Sequence, residues 1–526
     1  MGTAAATIEL LGELKPEVTD SFNRQARRLG CRYADLRLEV VESQFAWTEN
    51  GNCKQSGRDD ALAFGIRVIA GDGIAAPGYY GMSLGVADRD RLRRMIRDSL
   101  AHAHKRAMAN ARGKAAARSA FPGLAGAFWD TRLAPVPAHR DTLPAVYEVD
   151  PRSVPLADIV ALTREIGGTL QAMAGITYSS IGALTQISRE LFVNTEGTVL
   201  DQTEALTQGT CYVVAQEGPV TQELFDSTGH QRGWEVLTHG VKDPPDDPVL
   251  SSPDFRAFAM TLAEDAVKLA RARPAPTTDG EVAVVLDPHF TALLAHEIIG
   301  HPTELDRALK METGYAGRSW LFRSLQETQI GKQIASPLIT AFSDPALPGF
   351  GHYRYDDEGV PARRVVHIDR GIFRGFMNSR QTAAILGAEP NGHWKATEPS
   401  LVPLIRMSNT AFAGGDRDPR EIIKEVDRGY YLAGHRTPSI AESRENFRIS
   451  AVKVYEIRQG ELGQLFRDGG IMADSQAFLM QVDAVGKDFR LIPVPNCGKG
   501  QPMQTKRVGN GGPTLRSRAI LTGSPA

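Results

Sequence analysis

Cysteine is scarce in this chain, with four (Cys31, Cys53, Cys211 and Cys497) among 526 residues. So few exclude a disulfide-stapled scaffold and point to a reducing, cytoplasmic setting, where a cysteine serves as a buried hydrophobe or as a ligand. Long apolar runs are missing too, so no membrane-spanning helix is expected. The opening stretch MGTAAATIELLGELKPEVTD lacks a basic segment and a long apolar core. It reads as mature protein and not as a secretion signal. Neither sign of charge is in excess: 60 Lys+Arg stand against 62 Asp+Glu, a net charge of −2. General nucleic-acid binding needs a basic field to meet phosphate, so nucleic acid is not expected as a partner.

The remaining composition, 42% hydrophobic and 23% charged, is that of a globular chain long enough for more than one core. Residues 17–29 have helical spacing, Tyr33–Val41 and Ala63–Ile69 alternate like strands, and 88–118 reads as a helix with ten Lys/Arg against three Asp. That charge excess fits a solvated helix face. Six prolines between 119 and 155 predict a long loop or an insertion. A helix over 155–173 follows, then strand-like runs at Ile176–Ser180, Glu190–Asn194, Thr198–Gln202 and Thr210–Gln216, with hairpin chemistry at Asn194–Gly197. The Pro- and Asp-rich stretch 242–254 predicts a domain junction. Beyond it come a helix over 255–272, a strand at Glu281–Leu286, and mostly strands and turns with short helices near 380–387 and 418–428. The expected fold is α+β in two domains, a mixed N-terminal domain over 1–245 and a strand-rich C-terminal domain over 246–526.

The sharpest chemical signal is His296-Glu297-Ile298-Ile299-Gly300-His301, on a helix opened by Asp287-Pro288. Two histidines flanking a glutamate suggest a metal site with an attached general base. The spacing is HExxxH, however, and on a regular helix residues i and i+5 point about 140° apart. A single wide turn of π type brings them back toward one side. Alternatively, the helix ends at Gly300 in a left-handed cap and His301 folds back from beyond it. A catalytic zinc site takes three protein ligands and leaves one position open. Glu304, Asp306 and Cys497 are the candidates for the third, and Lys499 beside Cys497 supplies charge that would lower the thiol pKa.

These residues resemble the TldD/PmbA family, the metalloproteases also described as modulators of DNA gyrase, and HEIIGHPTELD resembles the signature of its metal-bearing member. Tyr355-Asp356-Asp357-Glu358-Gly359 resembles the family's DDEG turn, Gly375-Phe376-Met377 its short strand, and Arg406-Met407-Ser408-Asn409-Thr410 its RMxNT segment. Asn496-Cys497-Gly498-Lys499-Gly500-Gln501 resembles its C-terminal cysteine loop, Pro513-Thr514-Leu515 its last segment, and Tyr33–Arg37 and Gly65–Val68 its first strands. The resemblance implies that His296, His301 and Cys497 bind one zinc ion and that Glu297 is the base. It also implies peptidase activity on small unfolded or modified peptides, in a heterodimer with a metal-free TldE/PmbA-like paralogue or in a homodimer. Other readings are an amide hydrolase acting on a small-molecule intermediate, an interaction subunit whose zinc is purely structural, and the nucleic-acid binding that the gyrase association implies.

Overall fold

The computed structural model describes residues 5–85, 88, 91–121, 126–241, 252–314 and 317–523. The expected junction at 242–254, and with it the boundary near 245, falls mostly outside the described residues. Alternation of buried and exposed side chains builds a seven-stranded sheet from the first part of the chain. Its order is Ala76–Leu84, Asn52–Ala70, Tyr33–Glu49, Ile176–Asn194, Val199–Glu217 and Arg140–Leu143, and Val220–His230 also pairs with Val199–Glu217. The strands are longer than their sequence signals. The four short runs between 176 and 216 are two strands, Ile176–Asn194 and Val199–Glu217, paired antiparallel through the predicted hairpin. At that turn Asn194 Oδ1 accepts from the Glu196 and Thr198 amides, and Gly197 takes φ 101°, which an L side chain rarely adopts.

Helices Ala5–Arg28 and Leu92–Ala120 cover one apolar cluster of this sheet, and Leu156–Gln171 and Phe255–Arg271 another. The basic helix buries Leu92, Ile96, Leu100, Ala103 and Ala107 along one side, as a helical stripe must. The Pro-rich stretch is largely irregular but is no detached insertion. Its Arg140–Leu143 segment pairs in parallel with Val199–Gln202, so its backbone donors are partly satisfied by the sheet.

Among the described residues, the second half carries a two-stranded sheet, Trp394–Lys395 with Leu404–Ile405, and two main sheets. In the larger one, Glu281–Leu286 lies between Arg428–Ile440 and Leu515–Thr522, and Arg428–Ile440 also pairs with Asn446–Arg458, so the sheet closes on itself. The smaller runs Ile372–Phe373, Val365–Asp369, Ala341–Ser343, Asn409–Phe412, Gln504–Gly512 and Arg490–Lys499. Cys497 therefore sits on an edge strand, at a register shift between Val494 and Cys497. Bulges of this kind re-aim side chains. Short helices at Arg380–Leu386 and Pro419–Lys424 lie where the sequence predicts them. Among the described residues, no helix is long and apolar enough to cross a membrane.

Candidate metal centre

Strand Glu281–Leu286 runs directly into the helix that bears the histidines. Asp287 caps it, its Oδ1 accepting from the Phe290 amide at 2.7 Å, and Pro288 occupies the first turn. That turn has no use for an amide donor, so proline is well placed there. The α-helix ends at Leu294, and Ala295–Gly300 forms one π turn. The wide turn is the geometry that lets residues five apart share a side. The alternative cap is not found: Gly300 has φ −57°, and His301-Pro302-Thr303 continues as a 3₁₀ turn. Glycine is required at 300 for space and not for a left-handed backbone. A Cβ there would lie 1.9 Å from Met407 Sδ.

The turn brings His296 and His301 together, ring centroids 4.8 Å apart and nearly perpendicular. Cys497 completes the group, its Sγ 3.9 Å from His301 Nε2. One donor atom from each of the three lies within 4.8 Å of the others, and all three side chains are buried. The ring nitrogens facing away are held. His296 Nδ1 lies 2.8 Å from Asn510 Oδ1, and His301 Nδ1 3.1 Å from Glu304 Oε2. A hydrogen bond at the far nitrogen fixes ring orientation and tautomer.

Neither carboxylate considered as a third ligand joins this group. Glu304 turns to His301, Arg307 and Lys499, and Asp306 to Lys499 Nζ at 2.7 Å and the Ile405 amide at 3.0 Å. Lys499 is thus spent on those carboxylates and on the Ile405 carbonyl, and it is not the charge that acts on the thiol. Burial pushes the Cys497 thiol up, but His296, His301 and Arg406 outweigh it and hold it well below the usual range. Burial likewise opposes a charged His296, which the facing sulfur raises to about 9. These opposite shifts favour a thiolate beside a protonated imidazole, and a divalent cation bound there would displace that proton, because metal ligands must be deprotonated. Imidazole and thiolate are both zinc ligands, and three is the number of protein ligands a catalytic zinc site uses.

Glu297 stands beside the donors. Its carboxylate is ion-paired with Arg444, and burial is outweighed by His296, His301 and Arg444, so it stays below the ordinary carboxylate range. His296, Glu297, His301, Arg444 and Cys497 all line a cleft of about 730 Å³. Its opposite wall includes Leu224, Phe225 and Asp226 from strand Val220–His230, so both halves of the chain build it. Sequence reading overlooked Arg444, Asn510 and Arg406, the last donating to the Cys497 carbonyl. Arg406 and Asn510 lie in or near segments that carry the family resemblance. Nothing in the sequence around Arg444 marks it.

Residues 279–523 match the profile of the PmbA/TldA metallopeptidase C-terminal domain, and residues 149–273 that of the central domain. The chain belongs to the TldD/PmbA family of metallopeptidases. A metalloprotease of Methanothermobacter thermautotrophicus is 31% identical over 349 residues, which cover 66% of this chain and 70% of the relative. The zinc metalloprotease TldD homolog of Saccharolobus solfataricus is 24% identical over 509 residues, 95% of this chain and 99% of that one. Among solved structures, TldE from Thermococcus kodakarensis superposes with a TM-score of 0.67 at 18% identity, covering 96% of this chain and all of that chain. At that identity the likeness is one of fold.

The other family-like segments of this TldD/PmbA chain divide in two. Some build the metal centre. Met377 exchanges backbone hydrogen bonds with Thr303 and Leu305 just past the histidines, and Met407 packs on Gly300. The DDEG segment instead joins the two halves of the chain. Asp357 pairs with Arg37 at 2.6 Å and Lys395 at 2.8 Å, and Glu358 with Arg67 at 3.1 Å. Gly359 (φ 74°) turns the chain where a Cβ would strike Phe192.

Proposed function

We propose that this chain is a zinc-dependent peptidase in which His296, His301 and Cys497 hold the ion and Glu297 is the general base. The observation that carries the reading is the convergence of two imidazoles and a thiolate beside a carboxylate, on the wall of a cleft large enough for several residues of peptide. A zinc ion held there supplies water of lowered pKa and polarises the scissile carbonyl. Glu297 accepts the proton of the attacking water and passes it to the leaving nitrogen. Arg444 keeps Glu297 ionised and fixed in place. Asn510 and Glu304 hold the two imidazoles in their binding orientation. Because a thiolate donates charge to the ion, Glu297 carries more of the activation here than at a site with three histidines.

Extended peptides suit the walls, since two edge strands, Val220–His230 and Arg490–Lys499, contribute to the lining and an added strand binds through its backbone. A TldE-like metal-free paralogue is the proposed partner, by analogy with the family and with the fold shared with TldE, and the setting is cytoplasmic. The test is hydrolysis of unfolded peptides by the zinc-loaded chain, alone and with such a paralogue. Cleavage should stop with a chelator, return with zinc, and leave folded proteins intact. Chelator-insensitive cleavage, or turnover confined to small amide conjugates, would replace this reading.

A further inference from the structure

Beside the cleft lies a second pair of imidazoles, His289 and His435, that the mechanism above leaves unused, and of the two His435 lines the cleft. His289 Nε2 lies 3.1 Å from Asp226 Oδ2, and His289 Nδ1 accepts from the His435 backbone amide at 3.3 Å. A nitrogen that accepts a backbone N–H carries no proton, so the proton of neutral His289 sits on Nε2 and points to Asp226. His289 is thereby fully engaged. His435 is not: its ring lies tilted against that of His289, centroids 4.6 Å apart, while its Nδ1 is buried without a hydrogen-bond partner. The ring lines the same cleft as His296 and Glu297. It also stands where the pairing of Arg428–Ile440 with Asn446–Arg458 shifts register, between His435 and Pro438, and bulges re-aim side chains toward functional sites. Burial and the neighbouring His289 hold His435 at about 3, so near neutrality it offers one donor and one acceptor.

Its place along the cleft follows from the helix. His289 lies seven residues before His296, roughly 10 Å along the helix axis at ~1.5 Å per residue, and the His435 ring lies against His289. An extended peptide advances ~3.3 Å per residue. We propose that His435, set by Asp226 and His289, is a subsite that hydrogen-bonds the backbone of an extended peptide roughly three residues from the scissile amide. The inference rests on the peptidase reading and adds a length requirement to it. A backbone group of the peptide meets the part of the ring that lines the cleft, and a substrate too short to reach it leaves that contact unmade.

The test uses the zinc-loaded full chain carrying Glu297→Gln, so that peptides bind without being consumed. Affinities are measured for an octapeptide and for a capped dipeptide. His435→Phe keeps a ring against His289 and removes both nitrogens. It should weaken the octapeptide roughly five-fold, about one net hydrogen bond, and leave the dipeptide and the zinc content unchanged. His435→Asn should recover part of the loss, and Asp226→Asn should show a smaller loss with the same length dependence. An equal effect on both peptides, or none on either, overturns the subsite while leaving the peptidase reading standing. Failure of the parent chain to bind or cleave any peptide overturns both.

Discussion

Two buried charged clusters lie in this molecule, and they do opposite things with similar residues. Around the DDEG segment, Asp357 meets Arg37, Lys395 and the Ala396 amide, Glu358 meets Arg67 and the Arg380 amide, and Asp356 accepts from the backbone of Glu358, Val360 and Trp394. The carboxylates find protein partners, several of them across the interface between the halves. Around HExxxH, Glu304 and Asp306 are closed off in the same way by Arg307 and Lys499, but the three atoms they support are left facing one another at the wall of a cleft. A closed cluster locks two bodies together. One whose donor atoms converge on a single point can hold a ligand. The family-like motifs in the sequence do not distinguish these roles, because both place acidic residues beside turns.

The sharpest way to break the comparison is to remove a donor from the open cluster. Cys497→Ala or His301→Ala should lose the metal and with it all metal-dependent hydrolysis, read by elemental analysis of the folded protein. Glu297→Gln should keep the metal and lower kcat by about 10²- to 10⁴-fold, the usual contribution of a general base. Normal turnover in that variant would remove Glu297 from the mechanism. In the closed cluster, Asp357→Ala strands Arg37 and Lys395 and should cost about 3–5 kcal/mol of stability by denaturant titration. The protein that remains folded should keep its full metal content. Glu304→Gln acts on the open cluster from behind and should weaken metal affinity by about 10- to 100-fold, measured by competition with a chelator.

The smallest effect concerns pH. Glu39 faces Glu190 in register across two strands at the edge of the closed cluster, and burial with that facing charge pushes Glu39 up to about 8. The folded state therefore holds a proton that the unfolded state has released, so this group's contribution to stability falls as pH rises from the ordinary carboxylate range through about 8. Glu39→Gln should flatten that slope, and a slope unchanged by the substitution would remove Glu39 as its source.

Much of this was legible in the sequence because it depends on local chemistry. The Asp287-Pro288 start, the strand before it and the Asn194–Gly197 hairpin all obey nearest-neighbour rules. The need for a distorted turn between His296 and His301 followed from helical geometry alone, and the π turn was one of the two solutions weighed. The reason for Gly300 was not legible, since Met407, which leaves no room for a side chain, is more than a hundred residues away. Long-range partners hid the rest. Lys499 lies two residues from Cys497 in sequence yet spends its charge on Glu304 and Asp306. Arg444 reaches Glu297 from a turn with no motif of its own, and Arg140–Leu143 became a strand only because Val199–Gln202 offered it a partner.

The most direct measurement is X-ray absorption at the zinc edge on the metal-loaded Glu297→Gln chain, before and after Cys497→Ser. One sulfur at ~2.3 Å and lighter ligands at ~2.0–2.1 Å, with the sulfur lost in the serine variant, is the expected result. A zinc environment without sulfur, or a sulfur signal that survives the substitution, would contradict it.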